Sequence, residues 1–142
     1  MSRLCIMFPC GNSVHVPKMF ANGMCDVFRE SDIIHAGALD YSTHAKLIRR
    51  IANAFSHTPK TTHVRLVAKL ATLSSADIVI VLSFSNYFGH EHVVDTASAI
   101  LAKRLPRMSR RDIRTLFCIE DSIESVHIPF RFMIRHVPPL IW

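Results

Sequence analysis

The sequence predicts an α+β domain, a small three-stranded sheet covered by helices. A strand–turn–strand pattern opens the chain, and two later segments repeat apolar residues at helical spacing. At 142 residues, with 49% hydrophobic and 20% charged content, the chain is long enough to bury one sizeable core. The same composition excludes a disordered chain.

Residues 4–8 and 14–16 read as short strands, and Pro9, Gly11, Asn12 and Ser13 between them supply turn chemistry. Residues 19–29 read as a short helix, weakened at Gly23 by about 1 kcal/mol relative to alanine. Ile33, Ile34 and His35 form the third strand. Residues 42–55 make an amphipathic helix with Leu47, Ile48, Ile51, Ala54 and Phe55 on one face and Lys46, Arg49, Arg50 and Asn53 on the other. Ser42 or Thr43 caps it, and a loop follows over residues 57–62. The run 76–84 contains Ile78, Val79, Ile80, Val81 and Leu82, which suit a buried strand and a fully buried helix equally. Residues 93–105 are helical, with Val94, Ala97, Leu101 and Leu105 in register, and Pro106 closes them. Ser109 and Asp112 then form a capping box for a short helix that turns Ile113, Leu116 and Phe117 inward.

The formal charge is +6, unevenly spread. No acidic residue lies between Tyr41 and Ala76, and a second basic patch comprises Lys103, Arg104, Arg107, Arg110, Arg111 and Arg114 against the single Asp112. Solvated faces, an acidic protein partner or phosphate backbones all suit such patches. The longest apolar run is too short to span a bilayer, and the first residues lack the apolar stretch and cleavage site of a signal peptide. A cytoplasmic or nuclear protein, with Cys5, Cys10, Cys25 and Cys118 as free thiols, is the expectation.

Catalytic patterns do not emerge. His90 and His92 lie two residues apart, not the four of a metalloprotease helix. No serine sits in a Gly-x-Ser-x-Gly turn, and no glycine pair forms a phosphate loop. The single acidic knot, Glu120, Asp121 and Glu124, has no pocket signature beside it. A non-enzymatic protein without cofactor or metal is therefore expected.

Asn86-Tyr87-Phe88, Asp95 eight residues beyond the tyrosine, and Ile113-Arg114-Thr115-Leu116-Phe117-Cys118-Ile119 resemble the Skp family. Its members carry Asn-Tyr-Leu, a similarly placed Asp, and Ile-Arg-x-x-Phe-x-Ile. More weakly, Cys10-Gly11 with Val14-His15-Val16 looks like the family's opening hairpin, and residues 46–51 with Phe55 and His57 look like its first long helix. Departures are a short basic middle loop over 57–75, Arg110-Arg111-Asp112 in place of Pro-Glu-Glu, a basic instead of acidic balance, and a tail without the family's Trp-Cys ending.

The resemblance implies a BTB/POZ fold over residues 1–105 with a C-terminal extension over 106–142, and a buried helix over 76–85. It implies an adaptor that links an F-box protein to a cullin in an SCF-type ubiquitin ligase, with homo- or hetero-oligomerisation through the BTB face also open. Asn86 and Tyr87 would face the cullin. Val94, Leu101, Ile113, Phe117, Ile119, Phe130, Phe132 and Trp142 would face the F-box protein, unless the apolar ones serve as core. The apolar, proline-interrupted tail over 128–142 either packs on the domain or docks a partner. Two alternatives remain: a structural subunit of another assembly, such as a chromosome-associated one, and a nucleic-acid-binding module. Nucleic acid and membrane are not the expected partners.

Overall fold

The computed structural model describes residues 3–117, so Ile119, Phe130, Phe132, Trp142 and the apolar tail lie outside the described residues. What is described is an α+β fold with one three-stranded sheet and seven α-helices.

Alternation builds the sheet. In β1 (Arg3–Met7), β2 (Ser13–Pro17) and β3 (Ile33–His35), every second residue is apolar and turns inward: Leu4 and Ile6, Val14 and Val16, and Ile34. Strands β1 and β2 pair antiparallel, Arg3 opposite Pro17 and Met7 opposite Ser13, across a turn in which Gly11 adopts φ 90°. Strand β3 returns parallel to β1, Cys5 opposite Ile33, giving the order β2-β1-β3.

The expected helix over 19–29 is two short ones, α1 (Lys18–Ala21) and α2 (Asp26–Arg29), broken around Gly23. The cause is tertiary. Gly23 lies so close to the His90 ring that any Cβ there would overlap it.

A single π-helical turn, Tyr41–Ala45, leads into α3 (Lys46–Ala52), which buries Leu47, Ile48 and Ile51 as expected. Its cap is Asp40, not Ser42 or Thr43. The Asp40 carboxylate accepts from the Ser42 N–H at 3.2 Å and from both hydroxyls, at 2.9 and 3.0 Å, bonds that lower its pKa.

The basic loop expected over 57–75 is mostly helix α4 (Pro59–Ala71). Pro59 stands in its first turn, where a missing N–H costs nothing, and Thr62, Leu66 and Leu70 bury one narrow row. Helix α5 (Ser75–Phe88) resolves the ambiguous apolar run as a helix, capped by the Ser74 hydroxyl on the Asp77 N–H at 3.2 Å. It buries residues on nearly every side, packing against α3, α6 (Glu91–Arg104) and α7 (Arg110–Phe117). The expected Ser109 cap is present, accepting from the Asp112 N–H at 3.1 Å.

Gly23→Ala should lower stability by about 1–3 kcal/mol through overpacking on His90. Gly37→Ala, with nothing within 4 Å of the new methyl, should be neutral or stabilise by about 0.4–1 kcal/mol. Urea unfolding midpoints check both.

Candidate partner-binding face

The end of α5 sets the geometry. Gly89 adopts φ 66°, which stops the helix directly after Asn86, Tyr87 and Phe88, and the His90 N–H donates to the Ser85 carbonyl at 2.8 Å. Successive residues of this last turn then point in different directions: Asn86 outward, Tyr87 half-buried, Phe88 into the core.

Tyr87 ties three elements together. Its ring stacks on Phe28 of α2 at 5.7 Å and meets Phe88 edge-on at 5.5 Å, and its hydroxyl donates to the His35 carbonyl of β3 at 3.4 Å. Next to these contacts in the chain are two large apolar side chains that the fold leaves in water: Val27, 75% exposed, and Ile33, 58% exposed. The end of α5, the short α2 and the edge strand β3, joined through Tyr87, Phe28 and His35, thus carry exposed Val27, Ile33 and Asn86, residue types suited to protein contact. The resemblance points to Asn86 and Tyr87, whereas Val27 and Ile33 are not among the residues it implies. For Ile33 a signal existed, since two consecutive isoleucines in a strand cannot both face inward.

The residues expected to face an F-box protein divide differently. Leu101, Ile113 and Phe117 are buried and belong to the core instead of an open surface, because they occupy the inward rows of α6 and α7. Val94 is half-buried, since Val93 takes the fully inward position.

The basic patch also separates. Arg104 is structural: its guanidinium donates to the Leu73 and Ala71 carbonyls at 2.8 and 3.2 Å and to the Ser75 hydroxyl at 3.3 Å, sealing the C-terminal end of α4. Arg110, Arg111 and Arg114, with Thr115, line a concavity of about 560 Å³ on α7, whereas Lys103 and Arg107 are exposed. Two cations of the acid-free stretch are structural as well, Arg50 donating to the Thr72 hydroxyl and Lys69 to the Arg50 carbonyl, each at 3.0 Å.

His90 and His92 both lie edge-on to Phe55, and His63 joins them through His92. His63 of α4 and His92 of α6 share a hydrogen bond of 3.2 Å between Nδ1 and Nε2. Their centroid separation of 5.5 Å equals that span plus a ring radius at each end, and the planes differ by only 11°, so the rings lie end to end. In that arrangement the two nitrogens point at one another and share a proton; they do not converge on a metal ion. Among the described residues no three His, Cys, Asp or Glu side chains form a metal site. Burial and the neighbouring His63 push the His92 pKa down, and Asp95 partly restores it. His90 is fully buried, stacked on Phe20 at 4.8 Å and edge-on to Phe55 at 5.1 Å, and neither ring nitrogen has a well-formed hydrogen bond. Burial first, and the charge of His92 second, push its pKa down to about 4. Cys5, Cys10 and Cys25 are free thiols.

Comparison of the chain with protein-family models, with curated proteins and with solved structures returns no match. Among the described residues no helix is long and apolar enough to cross a membrane.

Arg104→Ala should cost about 1.5–3 kcal/mol, because charge-assisted bonds to the carbonyls at the C-terminal end of α4 are lost. The exposed Arg107→Ala should stay within about 0.5 kcal/mol of wild type. Denaturant titration of the two variants tests the division of the patch.

Proposed function

We propose that this chain is a Skp-like, BTB/POZ-type adaptor without catalytic activity, which holds an F-box protein on a cullin in an SCF-type ubiquitin ligase in the cytoplasm or nucleus. The observation that carries the reading is the surface around Tyr87. The Asn86-Tyr87 motif, on which the resemblance rests, stands beside exposed Val27 and Ile33, a composition fitted to protein contact. A small sheet covered by helices is also what the resemblance implies. In this reading the cullin engages Val27, Ile33, Asn86 and Tyr87, and the C-terminal extension with Ile119, Phe130, Phe132 and Trp142 engages the F-box protein.

Recovery of a cullin with the tagged full chain from native extract tests the proposal. Val27→Asp, Ile33→Asp and Asn86→Lys should each weaken that recovery by about tenfold or more, a hot-spot-sized loss, while the circular dichroism spectrum and Tm hold. If wild type brings down no cullin, the ligase reading fails and a structural role in another assembly replaces it.

The arginine concavity favours an acidic protein surface over nucleic acid. With Arg104 tied into the fold, Arg110, Arg111 and Arg114 line the concavity on α7, a narrower basic surface than the roughly 6–10 phosphate contacts that make duplex binding strong. Filter binding to duplex DNA at physiological salt should stay in the non-specific range, on the order of 10⁻⁴ to 10⁻⁶ M. Sub-micromolar, sequence-dependent binding would overturn that assignment.

A further inference from the structure

Two close approaches clamp the link between α1 and α2 onto the turn between α5 and α6. Gly23 lies flat against the His90 imidazole, and a Cβ at Gly89 would stand 2.8 Å from the Cys25 Cβ. The Cys25 N–H completes the clamp by donating to the Phe88 carbonyl at 3.0 Å. Directly beyond Cys25 comes α2 with Val27 and Phe28, and Phe28 is the residue on which Tyr87 stacks. The position of His90 therefore bears on the position of α2, and so on the surface around Tyr87.

Mostly apolar contact keeps His90 in place, beside poorly formed contacts with the Phe20 and His90 carbonyls. Phe20 faces it from α1, Phe55 from the turn after α3, and Gly23 from the link, none of them charged. The one ionisable group that bears on it is His92, two residues along, itself bonded to His63 of α4; Asp95 acts on His92. A neutral imidazole tolerates such a site, whereas an imidazolium would meet only poorly formed contacts to the Phe20 and His90 carbonyls and no carboxylate to balance its charge.

We infer that His90 is a proton-operated latch: on taking a proton from solvent, its ring leaves the Phe20–Phe55–Gly23 site and releases residues 22–25. Helix α2 then parts from Tyr87, and the surface formed by Val27, Phe28 and Tyr87 is lost. No covalent bond changes, and each opening takes up one proton. The sign follows from the two states. The closed ring has its pKa pushed down to about 4, whereas an exposed histidine titrates at 6.5, so acid favours the open state. The open population should rise about tenfold per pH unit between about 6.5 and about 4, and above that window it sits at its pH-independent minimum. Protonation of the His63–His92 pair acts in the same direction, since its charge bears on His90. The consequence for binding rests on the proposed docking role of the Tyr87 surface; the latch itself does not.

Residue-resolved amide hydrogen exchange on the isolated full chain tests it, between about pH 7.5 and about pH 5, corrected for intrinsic rates. Amides of Gly23, Cys25 and Phe28 should lose protection about tenfold per pH unit below about 6.5, while those of β1, β2 and α5 keep theirs. His90→Leu should remove the pH dependence of the 22–29 segment and leave the rest unchanged. If that variant does not fold, the wild-type profile decides alone. Equal loss of protection throughout the domain, or full protection of residues 22–29 at about pH 5, overturns the latch. Neither outcome depends on whether a cullin binds.

Discussion

Helix α5 cannot exist in water on its own terms. Ile78, Val79, Val81, Leu82, Phe84 and Phe88 project on several sides of it, and all are buried, so that only Ala76 and Asn86 of its residues are exposed. A helix of this kind is stable only when other elements enclose it, and the fold is organised to do so. Helices α3, α6 and α7 lie against it, and α3 also packs on the sheet. The burial of Leu101, Ile113 and Phe117 follows from the same demand, because the neighbours of a largely apolar helix must turn their own apolar rows toward it.

The termination of α5 is where this requirement becomes a surface. The left-handed residue Gly89 ends the helix while Tyr87 is still at the boundary between core and water, and it lets the following turn approach Cys25 closely. A side chain at that position would be strained in backbone and would meet Cys25. The one glycine thus places Tyr87 beside α2 and β3, and Gly23 fits the same turn from the other side.

Charge in this chain does two kinds of work. Arg50, Lys69 and Arg104 spend their donors on carbonyls and hydroxyls of the α3–α4–α5 connections, so part of a strongly basic composition is internal scaffolding. The arginines of α7 are gathered at a concavity instead. Histidines take the intermediate roles: an end-to-end pair bridging α4 and α6, and a buried ring treated by the fold as an apolar plate. Only the contacts distinguish these roles, since the residue types are the same.

Local physics made much of this molecule readable. Strands β1, β2 and β3 follow from alternation and turn residues, α6 from its four-residue apolar spacing, and the start of α7 from Ser109. The candidate face was half legible, through Asn86 and Tyr87. What stayed hidden depends on pairs far apart in the chain. Helix α4 has no side-chain cap and buries only the row of Thr62, Leu66 and Leu70, so its periodicity is faint until α3 and α6 cover it. The run over 78–82 is equally apolar as strand or helix, and only its enclosure decides. Gly23 breaks a helix because His90 stands against it, Arg104 caps α4 from α6, and Val27 gains its meaning from Phe28 meeting Tyr87. Periodicity and capping are properties of neighbouring residues and are written in the sequence. Close approach, enclosure and shared protons are properties of residues brought together by folding, and only the tertiary structure decides them.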